Sequence, residues 1–184
     1  GIPGKGGWFT TKALSGGGRL AVQLPDVWKF SLDEKAVGAE QGWWKPDFNA
    51  AGWRDMATFS TCWADEGLPW YQGEAWYRAA FTVPDEFKGK ELRLWFGGFD
   101  HNVDVYLNGQ RLGEKTGFVK PQEFDDIARH LRFDGPNLLA VRVAAGGLAE
   151  IGTGGIMMPV MLYQPGVAPA APDAPKPPEG RYQM

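Results

Sequence analysis

The chain has 184 residues, with 22 acidic against 19 basic side chains and a formal net charge of −3. That balance gives no basic footprint for nucleic acid or an anionic membrane surface, and no run approaches the roughly 20 apolar residues that cross a bilayer as a helix. A single cysteine, Cys62, excludes an internal disulfide and a multi-cysteine metal site. Free cysteine is among the most buried residue types, so Cys62 is expected as a small core hydrophobe.

Residues 1–23 are Gly-rich, including Gly16-Gly17-Gly18, and read as an N-terminal extension. From residue 24 to 164 the pattern is β throughout. Trp28, Phe30 and Leu32 alternate with Lys29 and Ser31; Tyr77, Ala79, Phe81 and Val83 alternate with Arg78, Ala80 and Thr82. The same period of two runs through Leu92–Phe96, Val103–Leu107 and Leu139–Val143, and Ile156, Met158, Val160 and Leu162 form a last series. Such alternation gives each strand one core face. Gly97-Gly98, Asn108-Gly109 and Asp134-Gly135-Pro136-Asn137 supply the turns, and Asn-Gly is the strongest short hairpin signal because both positions accept positive φ. One short helical turn is predicted over 126–131, capped by Asp125 or Asp126. Short strands punctuated by Gly and Pro predict an all-β, antiparallel β-sandwich or jelly roll. Residues 165–184 are Pro/Ala-rich and read as a tail or linker of extended polyproline geometry.

Gly73-Glu74-Ala75-Trp76-Tyr77-Arg78, then Leu92 to Asp100, then Val105-Tyr106-Leu107-Asn108-Gly109 form an ordered series. Phe124-Asp125-Asp126-Ile127, Asn137 to Val143 and Gly154-Gly155-Ile156 complete it. Over residues 24–163 this order closely resembles the sugar-binding jelly-roll domain of family 2 glycoside hydrolases, the β-galactosidase and β-glucuronidase group. The resemblance implies a galactose-binding-domain-like sandwich. In that family the catalytic carboxylates lie on a separate barrel, a fold of about 250 residues that this chain is too short to hold. A non-catalytic module is therefore the expectation. The chain departs from the family pattern at Lys115–Pro121, at Ala128, and at Met157, Met158 and Pro159, where the family often has a charged pair. The greasier last strand predicts an apolar partner of its own.

All nine tryptophans lie between Trp8 and Trp95. Trp43, Trp44, Trp63, Trp70 and Tyr71 stand in predicted loops. Indole faces stack on the C–H patches of sugars while carboxylates and amides take the hydroxyls, so loop aromatics beside polar groups suit a glycan. The polar groups nearby are Asp47, Asn49, Asp65, Glu66 and Gln72. In the resembled family the loops before the Trp-Tyr-Arg strand and before Gly-Gly-Ile lie near the sugar; here these are 63–73 and 146–155, the second adding Glu150 and Thr153. Trp28, Trp53, Trp76 and Trp95 are expected as structural. Asp65-Glu66 and Asp125-Asp126 are sequence neighbours and do not face one another across a substrate as a glycosidase pair must. His101 and His130 have no metal-ligand spacing. No cofactor is expected, although the resemblance leaves room for a structural calcium. Two functions follow: glycan binding through loop aromatics, or a structural subunit that self-associates through its terminal extensions. The chain opens Gly1-Ile2-Pro3 without Met, and a processed N-terminus and an extracellular or periplasmic location are the expectations.

Overall fold

The computed structural model describes residues 18–118, 120–146 and 153–166. Among them the chain forms strands β1 (Arg19–Gln23), β2 (Val27–Asp33), β3 (Arg54–Ala57), β4 (Gly73–Phe81), β5 (Arg93–Phe96) and β6 (Phe99–Leu107). These are followed by β7 (Gln110–Phe118), β8 (Gln122–Phe124), β9 (Asn137–Ala145), β10 (Gly155–Ile156) and β11 (Val160–Gln164). Every ladder is antiparallel. One sheet has four strands in the order β1-β11-β5-β8; the other has seven, in the order β10-β6-β9-β4-β2-β3 with β7 on the outer side of β6. The predicted sandwich is the observed one.

The period of two sorts the side chains between the layers. On β4, Ala75, Tyr77, Ala79 and Phe81 enter the core, where they meet Val103, Val105 and Leu107 of β6 and Leu139, Val141 and Val143 of β9. Leu94 and Phe96 of β5 and Val160 and Leu162 of β11 close the core from the four-stranded sheet. Each of the Val, Leu and Phe side chains among them contributes about 1.5–3 kcal/mol by leaving water. The hairpin at Asn108-Gly109 has φ of 50° and 82°, the twist that an Asn-Gly turn provides.

Three local expectations are corrected. β1 falls within the segment read as an N-terminal extension; it pairs with β11 from Arg19↔Gln164 to Gln23↔Met161, with an irregularity at Leu20/Val22. The preceding glycine run hides it from any pattern reading. The last apolar series is two strands, β10 and β11, separated at Pro159, which has no N–H to give a ladder. The predicted helical turn is a single 3₁₀ turn over Ala128–His130 with no side-chain cap. Asp126 instead takes a left-handed φ of 54° and pairs with Arg129 at 3.1 Å, while Asp125 pairs with Arg93 at 3.3 Å. The last strand is buried on both faces: Met161 and Tyr163 form a second cluster with Trp95 on the side away from the core. Residues 1–17 and 167–184, which carry most of both expected extensions, lie outside the described residues.

The outer face of the seven-stranded sheet is covered by the loop 34–53. Trp76, Tyr106 and Ala140 point outward there and pack against Ala39, Trp43, Trp44 and Trp53. Arg78, 6% exposed, points the same way, and its guanidinium donates to the carbonyls of Trp43, Lys45 (3.0 Å) and Phe48 (3.3 Å). Asp33, at the end of β2, accepts from the backbone N–H groups of Val37 (2.8 Å) and Gly38 (2.7 Å) and from the Trp76 indole (3.1 Å). One buried anion thus holds the start of this loop and one buried cation its middle, each satisfied by several hydrogen bonds.

Candidate functional site

The second aromatic loop runs from Thr58 to Gln72, between β3 and β4, and forms one rim of the sandwich. Its anchor is Trp63, 1% exposed. The Trp63 indole donates to the Tyr77 hydroxyl at 2.7 Å and packs edge-on against Phe30 and Tyr71. Gly154 and Gly155 lie flat against the same ring: a Cβ on Gly154 would sit 2.6 Å from Trp63 Cε3, and one on Gly155 would sit 2.5 Å from the Tyr77 hydroxyl. Both glycines have positive φ, 113° and 93°, so glycine is required there for conformation and for space. Burial pushes the Tyr77 hydroxyl well above the ordinary phenol range, and the hydrogen bond from Trp63 offsets only part of this.

Beyond the anchor the loop turns outward. Trp63 N–H donates to Gly154 O at 3.1 Å, and Leu68 N–H donates back to Trp63 O at 2.7 Å. Tyr71 is half-buried; its hydroxyl donates to Glu74 O at 2.6 Å. Burial raises its pKa, with Glu34, Asp33 and Glu74 adding to the effect. Trp70 is 77% exposed, against 53% for Val27, the other large hydrophobic exposed among the described residues. Gln72 is exposed beside it. An open groove lined by Ser31, Leu32, Trp53, Arg54 and Leu68 runs from this rim toward the covered sheet face.

The sequence candidates therefore separate. Trp70, Tyr71 and Gln72 share the rim. Asp65 and Glu66 lie on the same loop but turn back into it: Asp65 accepts from the Cys62 N–H at 3.2 Å and faces its thiol at 3.4 Å, and Glu66 accepts from the Thr61 hydroxyl at 3.1 Å. Cys62 is half-buried rather than buried, because it sits in this turn and not in a strand. Trp63 is a core residue, since its large ring fills the end of the space between the sheets. Trp43 and Trp44 belong to the covered sheet face: Trp44 stacks on Tyr106 at 5.4 Å, and Trp43 wedges between Trp53 and Trp76. Thr153 is half-buried next to Gly154, and Glu150 falls outside the described residues.

The residues missed from sequence are Asp100 and His101, at the start of β6. They are 2% and 5% exposed, with Asp100 Oδ2 and His101 Nε2 3.6 Å apart. His101 has φ 82° and its ring centroid lies 6.4 Å from that of Trp63. Strand alternation does not single them out; the one available signal was a run of three consecutive polar residues, Asp100-His101-Asn102, where alternation allows one. Among the described residues, no group of three or more His, Cys, Asp or Glu side chains comes together to hold a metal ion.

Comparison with known proteins agrees with this architecture. The chain is 40% identical over 74 residues to a β-glucuronidase of Formosa agariphila, spanning 40% of this chain and 7% of that protein. It is 32% identical over 131 residues to the β-galactosidase BoGH2A of Bacteroides ovatus, spanning 63% and 14%. A β-glucuronidase structure from an uncultured Clostridium sp. superposes with a TM-score of 0.67 at 25% identity, over 81% of this chain and 29% of that one. The chain thus spans less than a third of the length of each of these proteins. A family profile for the sugar-binding domain of glycosyl hydrolases family 2 matches residues 22–149, from the end of β1 through all of β9. With that match extending through most of both sheets and the rim loop between β3 and β4, the chain belongs to the family of glycosyl hydrolase family 2 sugar-binding domains.

Proposed function

We propose that this sandwich is a non-catalytic glycan-binding module that meets sugar through the rim at residues 58–72, with the Trp70 indole as its stacking platform. The observation that carries this is the contrast between Trp70 and the other tryptophans: the rest, among the described residues, are buried or half-buried against neighbours, and Trp70 presents 77% of its surface to solvent. An indole left in water costs free energy unless it has a ligand or partner to cover it. Its mount is rigid, because Trp63, Leu68 and Tyr71 fix the loop on both sides. A preorganised aromatic loses little entropy on binding.

Among the described residues of this rim, Asp65 and Glu66 are engaged by their own loop and do not face one another across a groove. Bond cleavage belongs, in this account, to another part of a larger glycoside hydrolase, and the module helps to hold or admit the glycan. Titration of the protein with a panel of oligosaccharides, followed by tryptophan fluorescence, tests it. A saturable change that disappears in Trp70→Ala is expected; no response across a broad panel contradicts the proposal.

A further inference from the structure

We propose that the outer face of the four-stranded sheet is the docking surface for segment 1–17 of the same chain, with Trp8 and Phe9 packing on Trp95, Met161 and Tyr163. The outer face of an antiparallel sheet ordinarily meets water, and alternation then puts polar residues there. β5 and β11 break that rule. Trp95 on β5 and Met161 and Tyr163 on β11 project away from the core and form a cluster of their own. The ladders set them side by side: Met161 pairs with Trp95, and Tyr163 pairs with Leu20 on β1.

These three side chains are 3%, 0% and 5% exposed. Leu20, itself only partly buried, packs against them, and Gly97 lies along the indole, where a Cβ would sit 2.9 Å from Trp95 Cη2. Both are neighbours along the sheet, and neighbours along a sheet leave the top of a side chain open. A single chain buries the cluster this far with no second copy present. Its cover is therefore chain that lies outside the described residues.

The sequence chooses among those stretches. Segment 147–152 joins β9 to β10, both strands of the other sheet. Segment 167–184 runs through Pro, Ala and charge before it reaches Tyr182 and Met184. Segment 1–17 carries Ile2, Trp8, Phe9 and Leu14, the large apolar side chains that an indole, a thioether and a phenol accept. It leads into β1, an edge strand of the sheet in question. From Trp8 to Arg19 the chain can reach more than about 30 Å, whereas four strands at about 4.8 Å span only about 14 Å.

Polarity fixes the side of entry. Toward β8 the face is polar: the Tyr163 hydroxyl donates to Glu123 at 2.7 Å, and Arg93 pairs with Glu123 at 3.5 Å and with Asp125 at 3.3 Å. Toward β1 it is apolar, with Leu20. The apolar part thus opens on the strand that segment 1–17 precedes. The segment gives the last strand the apolar partner its sequence calls for, and it withdraws this face from a second copy or another domain.

A double-mutant cycle on the full chain tests this, with Trp8→Ala, Met161→Ala and the two combined, read by urea unfolding. Contacting side chains are non-additive. Trp8→Ala is expected to lower the unfolding free energy enough to raise the unfolding equilibrium constant about tenfold, and the pair to fall short of the product of the singles by at least about threefold. Wild-type stability in Trp8→Ala, or additive effects, overturns the proposal. Tyr182→Ala/Met184→Ala is the matched change in the C-terminal segment; coupling of Met161 to that pair and not to Trp8 assigns the cover to the tail and overturns it too. Should Met161→Ala fail to fold, Trp8→Ala alone is expected to bind a hydrophobic dye that wild type does not, and no gain in dye binding overturns the assignment. Sedimentation separates the same chain from a neighbour: a monomer is expected, and a wild-type dimer that comes apart in Trp8→Ala puts the segment on a second copy and contradicts the proposal.

Discussion

Two tryptophan-bearing loops of this sandwich look alike in sequence and do opposite things. Loop 34–53 places Trp43, Trp44 and Trp53 on Trp76 and Tyr106, so its indoles cover a sheet face. Loop 58–72 buries one indole, Trp63, as an anchor and leaves Trp70 in solvent. The difference lies in what each loop is tied to. The first is clamped at its start and its middle by buried charges, Asp33 and Arg78, that act on its backbone. The second is held by a single aromatic plug and by local hydrogen bonds, which leaves its tip free to point outward. Aromatic content alone does not mark a binding surface; the backbone anchors decide which rings remain available.

Removal of the plug has the largest expected effect. Trp63→Ala empties the end of the core and strips Tyr77 of its indole partner, at a cost of about 3–5 kcal/mol, read from chemical denaturation. Arg78→Met tests the other loop's clamp. Three carbonyls lose their donor, and a loss of about 2–3 kcal/mol is expected, together with a shift in the tryptophan emission of the outer face. If Arg78→Met disturbs glycan binding as much as it disturbs stability, the two loops are not separable and the contrast between them fails.

Alkali probes two buried phenols, Tyr77 in the core and Tyr163 on the outer side of the four-stranded sheet. Burial raises the Tyr77 hydroxyl strongly and, with Glu123 beside it, pushes Tyr163 up to about 12. In the unfolded chain both ionise near the ordinary phenol value of about 10. A raised folded pKa stabilises fully below that value and is lost as pH climbs through the folded one. Stability is therefore expected to be level up to about pH 9 and to fall above 10, on the order of 1 kcal/mol by pH 11 for Tyr77. Tyr77→Phe is expected to flatten that slope while lowering the plateau; the midpoint of urea unfolding against pH gives both readings.

The strands were legible because a period of two survives in almost any antiparallel sandwich: Val103, Val105 and Leu107 could hardly face anything but a core. The hairpin at Asn108-Gly109 was legible because its backbone conformation admits few residues. β1 was not, because a glycine run precedes it and its ladder partner lies far along the chain. The split between β10 and β11 was obscured by an apolar series that continues through Pro159. The site was less readable still. Trp70 and Tyr71 were identified by their loop, but the same criterion selected Trp63, whose burial depends on Gly154 and Gly155 arriving from the far end of the chain. Trp43 and Trp44 could not be told from rim residues without knowing that Arg78 and Asp33 fold their loop down. Asp100 stood in a polar run, Asp100 to Asn102, but its burial and its unpartnered oxygen are properties of its surroundings.

The smallest expected effect on stability is also the most informative about function. Trp70→Ala and Trp44→Ala are to be compared in parallel by calorimetric glycan titration and thermal unfolding. Trp70→Ala is expected to stay within about 0.5 kcal/mol of wild-type stability while losing the glycan response. Trp44→Ala is expected to lose its stacking on Tyr106, melt earlier and still bind. The opposite pairing, with sugar binding kept in Trp70→Ala and lost in a stably folded Trp44→Ala, contradicts the account.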